Sequence, residues 1–199
     1  MKDDLFSAVP ARRGHFLLES GYHTDLWLTL DAVFLEPRTV APLVSALAEK
    51  LRPHAVSAVC GPLLGGAFLA QGLAGLLDTR FYYAEPAPRR REQGLFKAEY
   101  RIPPDLARRL RGERVAVVDD AISAGSSIRA TIAALASAGA SIAAIGTFQV
   151  LGDAGLAHFA AQRIPVETLG HRAFHLWKPL ECPLCAAGEP LEDLLQQEL

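Results

Sequence analysis

Three continuous apolar runs rich in β-branched residues constrain the fold more than any other feature of this chain. They occupy residues 55–62, 114–121 and 141–150. Strands buried on both faces carry unbroken apolar runs, whereas strands with one wet face alternate apolar and polar residues. The runs therefore predict parallel strands that are covered by helices on both sides.

Alanine-rich segments with helical spacing stand between or before these runs, at residues 39–51, 65–77 and 126–139. The last of them ends at Gly139, a natural helix C-cap. A further strand is predicted at 79–85. Strands that alternate with helices of this length predict an α/β fold, namely an open, mostly parallel twisted sheet with helices on both faces.

The chain length favours a single domain, because 199 residues, half of them hydrophobic, can bury a full core. We expect a core over about residues 39–165 and a small terminal hood from about 1–38 and 166–199. Within the core, prolines, arginines and a glycine between Glu85 and Pro104 predict a long exposed, mobile loop over about 86–101.

Charge and composition exclude several classes of protein. Twenty basic and twenty-two acidic residues give a net charge of −2, so we expect neither nucleic acid nor a membrane as a partner. The N-terminus lacks the apolar core of a signal peptide, and no run approaches the ~20 apolar residues of a membrane span. Three cysteines do not suggest a disulfide framework, and we expect a cytoplasmic protein.

The stretch VAVVDDAISAGSSIRA, residues 115–130, places two acids and a small-residue turn directly behind a predicted strand. Ligands of open α/β sheets bind outside the carboxyl ends of the strands. The turn offers backbone N–H groups at a helix N-terminus, which favour an anion. The candidate ligand-binding residues are Asp119, Asp120, Ala121, Ser123, Ala124, Gly125, Ser126 and Ser127.

Two carboxylates would repel a phosphate, but they can accept hydrogen bonds from ribose hydroxyls, and Mg²⁺ can share such a site. Acids beside an anion-binding turn therefore indicate a phosphorylated sugar. A helix N-cap is the plainer alternative, and it explains one acid and one serine only.

These residues resemble the phosphoribosyl-pyrophosphate (PRPP) binding signature of type I phosphoribosyltransferases. The resemblance implies that Asp119 and Asp120 hold the ribose hydroxyls and that residues 123–127 hold the 5-phosphate. Ala124 stands where the family often has threonine.

Other segments extend the resemblance to bacterial orotate phosphoribosyltransferases: GHFLLESGYHTDLWLTLDAVFLEP near the N-terminus, CGPLLGGAFLA, and ECPLCAAGEPL near the C-terminus. The second segment is similar to a pyrophosphate-binding loop, in which Gly61, Gly65 and Gly66 would face pyrophosphate and Mg²⁺. The resemblance also implies a homodimer that joins a base to ribose 5-phosphate and releases pyrophosphate.

Such a reaction needs cations on the leaving pyrophosphate and protection from water. We expect Mg²⁺ to enter with PRPP rather than through side-chain ligands alone. Lys97 and Arg91, in the long loop, are the residues that we expect to supply further positive charge, with Arg89 and Arg90 as alternatives.

The base-binding half departs from the orotate pattern. Glu19 stands where those enzymes usually carry Lys or Arg, and Leu151 and Gly152 replace an Asp-Arg pair. The candidate base-binding residues are Trp27, Phe34 and Arg172, with His171 as an alternative. A different base, or a regulatory protein that senses PRPP or a nucleotide, remains open.

The CPLC segment carries Cys182 and Cys185. Because tetrahedral zinc needs two more ligands, we interpret them as a reduced pair rather than a structural zinc site. His171 and His175 are the histidines nearby in the sequence that could complete such a site.

Overall fold

The computed structural model describes residues 9–87 and 98–194. Its strands are β1 (Ala11–Leu17), β2 (His23–Leu28), β3 (Ala58–Pro62), β4 (Arg80–Pro86), β5 (Tyr100–Arg101), β6 (Arg114–Ile122), β7 (Ser141–Leu151) and β8 (Val166–Arg172). Its helices are α1 (Pro37–Leu51), α2 (Gly65–Leu77), α3 (Pro104–Ala107), α4 (Ser126–Ser137), α5 (Ala154–Ala161) and α6 (Pro183–Ala186). The four predicted strands are β3, β4, β6 and β7, and the three predicted helices are α1, α2 and α4, so these expectations are confirmed.

Six strands form the main sheet in the order β5-β4-β3-β6-β7-β8. The sheet is parallel from β4 through β3, β6 and β7 to β8. At its edge β5 pairs antiparallel with β4. β1 and β2 form a separate antiparallel hairpin. The expected mostly parallel α/β fold is confirmed.

Each face of the sheet carries its own apolar core. Leu47 of α1 and Leu73 of α2 pack on one face, against Val118 of β6. Leu135 of α4 packs on the other face, against Val117. Successive side chains of a strand point to opposite faces, so β6 contributes to both cores and must be apolar throughout its middle.

Strand β6 is longer than the sequence suggests. We expected it to end before the acid pair, but its pairing with β7 continues to Ile122, opposite Val150. Its pairing with β3 ends earlier, at Val117. The acid pair therefore lies in a part of β6 that has a strand neighbour on one side only.

The expected C-terminal boundary of the hood, at residue 166, is wrong. Residues 166–172 form β8, which pairs with β7 in the main sheet. β8 is half-buried rather than fully buried, which explains why its sequence lacks an apolar run. The following C-terminal segment, residues 173–194, joins the hairpin through bridges from Phe16 to Glu192 and from His23 to Trp177.

The expected loop at 86–101 is shorter than the sequence suggests at both ends. Pro86 pairs with Tyr100, and the Ala87 N–H donates to the Glu99 carbonyl at 2.7 Å. The rest of the expected loop, residues 88–97, lies outside the described residues. Among the helices that the structure describes, none is long and apolar enough to cross a membrane.

Candidate active site

The main sheet changes direction between β3 and β6. From β3 the chain continues to β4 and β5 on one side, whereas β6 leads to β7 and β8 on the other. The loops that follow two such strands diverge, which leaves a crevice at their carboxyl ends where ligands of open α/β sheets bind. The glycine loop, residues 61–66 from the end of β3 to the start of α2, meets the acid pair of β6 at this point.

The two acids have different environments. Asp119 is 8% exposed, and it accepts hydrogen bonds from the Ser127 hydroxyl at Oδ2 (2.9 Å) and from the Asp120 N–H at Oδ1 (3.1 Å). Asp120 is more exposed and accepts the Ala121 N–H at 2.7 Å. Asp119 thus ties the strand to the start of α4, and Asp120 presents the more accessible carboxylate.

Burial holds the pKa of both carboxyl groups above the ordinary range. Burial raises the pKa of Asp119 well above its usual value, and the charge of Asp120 raises it further, while the Ser127 hydroxyl opposes the shift. Burial likewise raises the pKa of Asp120 to about 6, with the charge of Asp31 adding to it. The charge of Glu19 also raises the pKa of Asp119. The charged forms of both acids are therefore unfavourable in the site alone, and a bound cation would stabilise them.

Glycines allow the loop after β3 to approach the acids closely. A Cβ atom at Gly65 would meet the Asp120 carboxylate, and one at Gly66 would lie 2.9 Å from Asp119 Oδ1 and 2.8 Å from the Val118 carbonyl oxygen. A Cβ atom at Gly61 would meet the backbone carbonyl of Gly66. The structure therefore brings these three glycines together with the acid pair.

The turn between β6 and α4 is reduced to residues 123–125, because Ala121 and Ile122 belong to the strand. Gly125 has φ +73° and is the N-cap residue of α4, which begins at Ser126. The first N–H groups of a helix have no acceptor within the helix, so they are available to an anion.

Helix α5, which the sequence did not predict, supports this turn from behind. The Gly155 N–H donates to the Ser123 carbonyl at 3.1 Å. The Phe159 ring lies so close to Gly125 that a Cβ atom there would be 3.0 Å from Cζ. Ala124 is buried. Backbone packing therefore fixes the turn, and a threonine hydroxyl at position 124 is not needed for its shape.

The candidate base-binding residues lie on three different elements. Trp27 is on β2 and packs against Phe16, with 6.0 Å between ring centroids. Phe34 follows β2 in a 3₁₀ turn and stacks on Phe148 of the sheet core at 6.1 Å. Arg172 is exposed at the end of β8. The first two therefore have packing roles, and Arg172 is the candidate with an accessible cation.

The two candidate loop cations, Arg91 and Lys97, lie outside the described residues. The described positions next to that segment are nevertheless informative. Because β4 runs parallel to β3, its end at Pro86 lies at the same edge of the sheet as the glycine loop. Both ends of the segment, Ala87 and Glu99, are hydrogen-bonded to each other there.

Cys182 and Cys185 lie beside His15 and His23, not beside the two histidines closer in sequence. His171 instead contacts the Gly152 carbonyl at 3.1 Å, and His175 contacts Asp25 at 3.2 Å.

Sequence reasoning missed two residues that influence the acids, Asp31 and Thr147, and it did not show that Glu19 acts on Asp119. Asp31 and Glu19 act through their charges, and the Thr147 hydroxyl donates to the Asp120 carbonyl at 3.1 Å. Thr147 could have been recognised from the sequence, because it is a polar residue inside the apolar run of β7.

This chain is similar in sequence to known proteins. Residues 38–156 match the family described as phosphoribosyl transferase domain. The chain is 32% identical to the orotate phosphoribosyltransferase of Caldanaerobacter subterraneus over 90% of this chain and 87% of that protein. It is 31% identical to the orotate phosphoribosyltransferase of Thermotoga maritima over 96% of this chain and 95% of the relative.

A solved structure shares the fold at lower sequence identity. The adenine phosphoribosyltransferase of Thermoanaerobacter pseudethanolicus superposes with a TM-score of 0.68 at 17% identity, over 86% of this chain and all of that one. Because a family model matches more than half of the chain and relatives match nearly its whole length, this chain belongs to the phosphoribosyltransferase family.

Proposed function

We propose that this protein is a Mg²⁺-dependent orotate phosphoribosyltransferase, which joins orotate to the ribose 5-phosphate of PRPP and releases pyrophosphate. One observation carries the proposal: the Asp119–Asp120 pair faces the Gly65–Gly66 backbone across the switch point of the sheet. The relatives that match more than four-fifths of the chain are named orotate phosphoribosyltransferases, which supports the choice of reaction.

The phosphoribosyl group would lie between the acids and the start of α4. Asp120 has the accessible carboxylate, so it would accept hydrogen bonds from the ribose hydroxyls. Asp119 would act with it while holding Ser127 in place. The N–H groups at the start of α4 and the serine hydroxyls would bind the 5-phosphate.

The pyrophosphate would lie over the glycine loop. The absence of side chains at Gly65 and Gly66 lets the start of α2 pack directly against the acid pair, so a pyrophosphate over this backbone would lie close to both carboxylates. Mg²⁺ fits this arrangement, because oxygen ligands from PRPP and the two nearby carboxylates are the donors that it prefers. When bound, Mg²⁺ neutralises charge on the departing pyrophosphate.

Further positive charge would come from Arg91 and Lys97. Support comes from the paired residues Ala87 and Glu99, which hold both ends of the intervening segment at the edge where the pyrophosphate would lie. Cations placed over a leaving group act where charge develops, and they also exclude water from the activated sugar.

Orotate is a carboxylate, and the charge near the acid pair is negative. Glu19 is close enough to raise the pKa of Asp119. This observation favours a second candidate, in which the same reaction uses a base that carries no negative charge. Under the first candidate, Arg172 at the end of β8 is the cation that we assign to the orotate carboxylate.

We also propose that the enzyme is a cytoplasmic homodimer. Large apolar side chains are exposed just before α2 (Leu64), on α2 (Phe68) and on the neighbouring β4 (Phe81). Exposed apolar surface of this kind is typical of interfaces between subunits. All three cysteines are free, which suits a reducing compartment. Sedimentation at several protein concentrations would test the dimer.

The test of the proposed function supplies PRPP and Mg²⁺ with a panel of bases, including orotate, uracil, adenine and hypoxanthine. Pyrophosphate release and the nucleotide product are measured together. We expect release with orotate that requires Mg²⁺ and disappears in Asp120→Asn. Release with another base alone would establish the second candidate, and tight PRPP binding without release from any base would overturn the enzymatic assignment.

A further inference from the structure

Four side chains that commonly bind metals meet where the hairpin touches the C-terminal segment. Each offers one ligand atom, and the four atoms lie within 4.8 Å of one another. His15, His23 and Cys182 are buried, at 4%, 4% and 3% exposure, and Cys185 is exposed. None of them belongs to the acid pair or to the loops around it.

Four of the six distances between the ligand atoms are within about 0.3 Å of those in a tetrahedral zinc site. With Zn–S bonds of about 2.3 Å and Zn–N bonds of about 2.0 Å, a tetrahedron has S–N edges of about 3.5 Å and an N–N edge of about 3.3 Å. The His15 Nε2–His23 Nδ1 distance is 3.0 Å. Cys182 Sγ lies 3.4 Å from His15 Nε2, and Cys185 Sγ lies 3.7 Å from that atom and 3.3 Å from His23 Nδ1.

The hydrogen bond on the other side of the His15 ring supports this assignment. Nδ1 lies 2.9 Å from the Glu189 carbonyl oxygen, which can only accept, so Nδ1 carries the proton. In the neutral ring Nε2 is then a bare acceptor that faces three polar atoms. One ring nitrogen makes one hydrogen bond, whereas a metal ion between the four atoms would satisfy all of them. A backbone carbonyl that fixes the ring in this way is common at metal-binding histidines.

We propose that this protein binds one structural Zn²⁺ ion through four ligand atoms: His15 Nε2, His23 Nδ1, Cys182 Sγ and Cys185 Sγ. Two thiolates and two imidazoles in tetrahedral arrangement are a donor set that zinc favours among divalent metals. All four coordination positions are filled by the protein, which is the arrangement of a structural site rather than a catalytic one.

The ion would join parts of the chain that are far apart in sequence. The hairpin and the C-terminal segment already exchange backbone hydrogen bonds, from Leu17 N–H to the Glu192 carbonyl (2.9 Å) and from Trp177 N–H to the His23 carbonyl (2.9 Å). His15 and His23 also flank the hairpin turn that carries Glu19. Zinc would therefore fix the turn next to the acid pair as well as the C-terminal segment.

The first test is the metal content of the full-length protein, measured by elemental mass spectrometry after dialysis against metal-free buffer. We expect one zinc ion per chain in the wild type, and its loss in Cys182→Ser/Cys185→Ser and in His23→Ala. The matched controls Cys60→Ala and His175→Ala should keep the zinc, since Cys60 lies in β3 and His175 binds Asp25. Zinc retained by the double cysteine variant would overturn the proposal.

The second test does not depend on variants that fold. Wild-type protein is stripped with a chelator and reconstituted with Zn²⁺ or Co²⁺. We expect zinc to raise the thermal midpoint by roughly 5–15 °C. Cobalt should give a thiolate charge-transfer band and the strong visible absorption of a tetrahedral ion. Protein that retains iron in place of zinc, that forms a Cys182–Cys185 disulfide, or that takes up neither metal would overturn the assignment.

Discussion

The hydroxyl of Ser127 donates a 2.9 Å hydrogen bond to Asp119 Oδ2 and so joins the end of β6 to the first turn of α4. The same carboxylate lies beside the backbone of Gly66. One buried acid thereby sets the spacing between the turn that would hold the phosphate and the loop that would hold the pyrophosphate.

Ser127→Ala removes this link without changing the backbone. We expect the KM for PRPP to rise about tenfold, because the lost hydrogen bond is to a charged group. The pKa of Asp119 should rise further, since the Ser127 hydroxyl lowers it. Steady-state kinetics across pH checks both effects. Ser137→Ala is the control, because that hydroxyl is exposed on the same helix and donates to the Ala133 carbonyl. Equal KM values in the two variants would contradict the role of Ser127.

Asp120→Asn should stabilise the fold at neutral pH while it removes activity. The pKa of Asp120 is about 6 in the folded protein, compared with 3.8 for an ordinary aspartate side chain. The protonated side chain therefore contributes to stability below about pH 4, and this contribution is lost as the pH rises through 6. Asparagine stays neutral and keeps an oxygen for the Ala121 N–H. We expect its melting temperature at pH 8 to exceed that of the wild type by about 3–6 °C.

The same comparison at pH 4 should show little difference. Asp105→Asn is the control, because the Asp105 side chain is 93% exposed and pairs with Arg108 on the surface. A gap between Asp120→Asn and wild type that does not change with pH would show that burial of the charge is not the cause.

Gly66→Ala should displace the loop after β3. The new methyl group would lie 2.8 Å from the Val118 carbonyl oxygen and 2.6 Å from Pro62 Cδ, and backbone atoms cannot move aside. We expect kcat/KM to fall by about 10–100-fold, as for other small displacements of positioning groups. Gly75→Ala lies in the same helix, with nothing within 4 Å, and should stabilise the protein by about 0.5–1 kcal/mol without changing kcat/KM.

Glu19→Gln tests the charge at the base-binding side. Removing the carboxylate lowers the pKa of Asp119 and reduces the repulsion of an anionic base. We expect the KM for orotate to fall about threefold at low salt, with a smaller effect at high salt. Glu49→Gln, on the exposed side of α1, is the control and should leave the KM for orotate unchanged. If Glu19→Gln leaves the KM for orotate unchanged at low salt, the charge of Glu19 does not act on the base.

Much of the fold could be predicted from local patterns. β3, β6 and β7 carry unbroken apolar runs because both of their faces are covered, and α4 ends beside Gly139. β8 was assigned to the hood because, at the edge of the sheet and half-buried, VETLGHR shows neither an apolar run nor alternation. Helix α5 was missed because its segment is only eight residues long.

The site divides in the same way. The glycines lie within residues 61–66, and the acid pair and the serine turn lie within residues 119–127, so each short segment could be recognised before its geometry was known. The partners of Cys182 and Cys185 could not, because more than 150 residues separate them from His15 and His23. A hairpin around residues 18–22 was the available signal, since it brings its two flanking histidines together.

Calorimetric titration of PRPP and Mg²⁺ into the wild type, Asp120→Asn and Asp105→Asn tests the central claim most directly. If Asp120 binds a phosphorylated sugar between the glycine loop and α4, wild type and Asp105→Asn should bind PRPP equally. Asp120→Asn should then bind it at least about tenfold more weakly. Equal binding by all three proteins, or no binding by the wild type, would contradict the account.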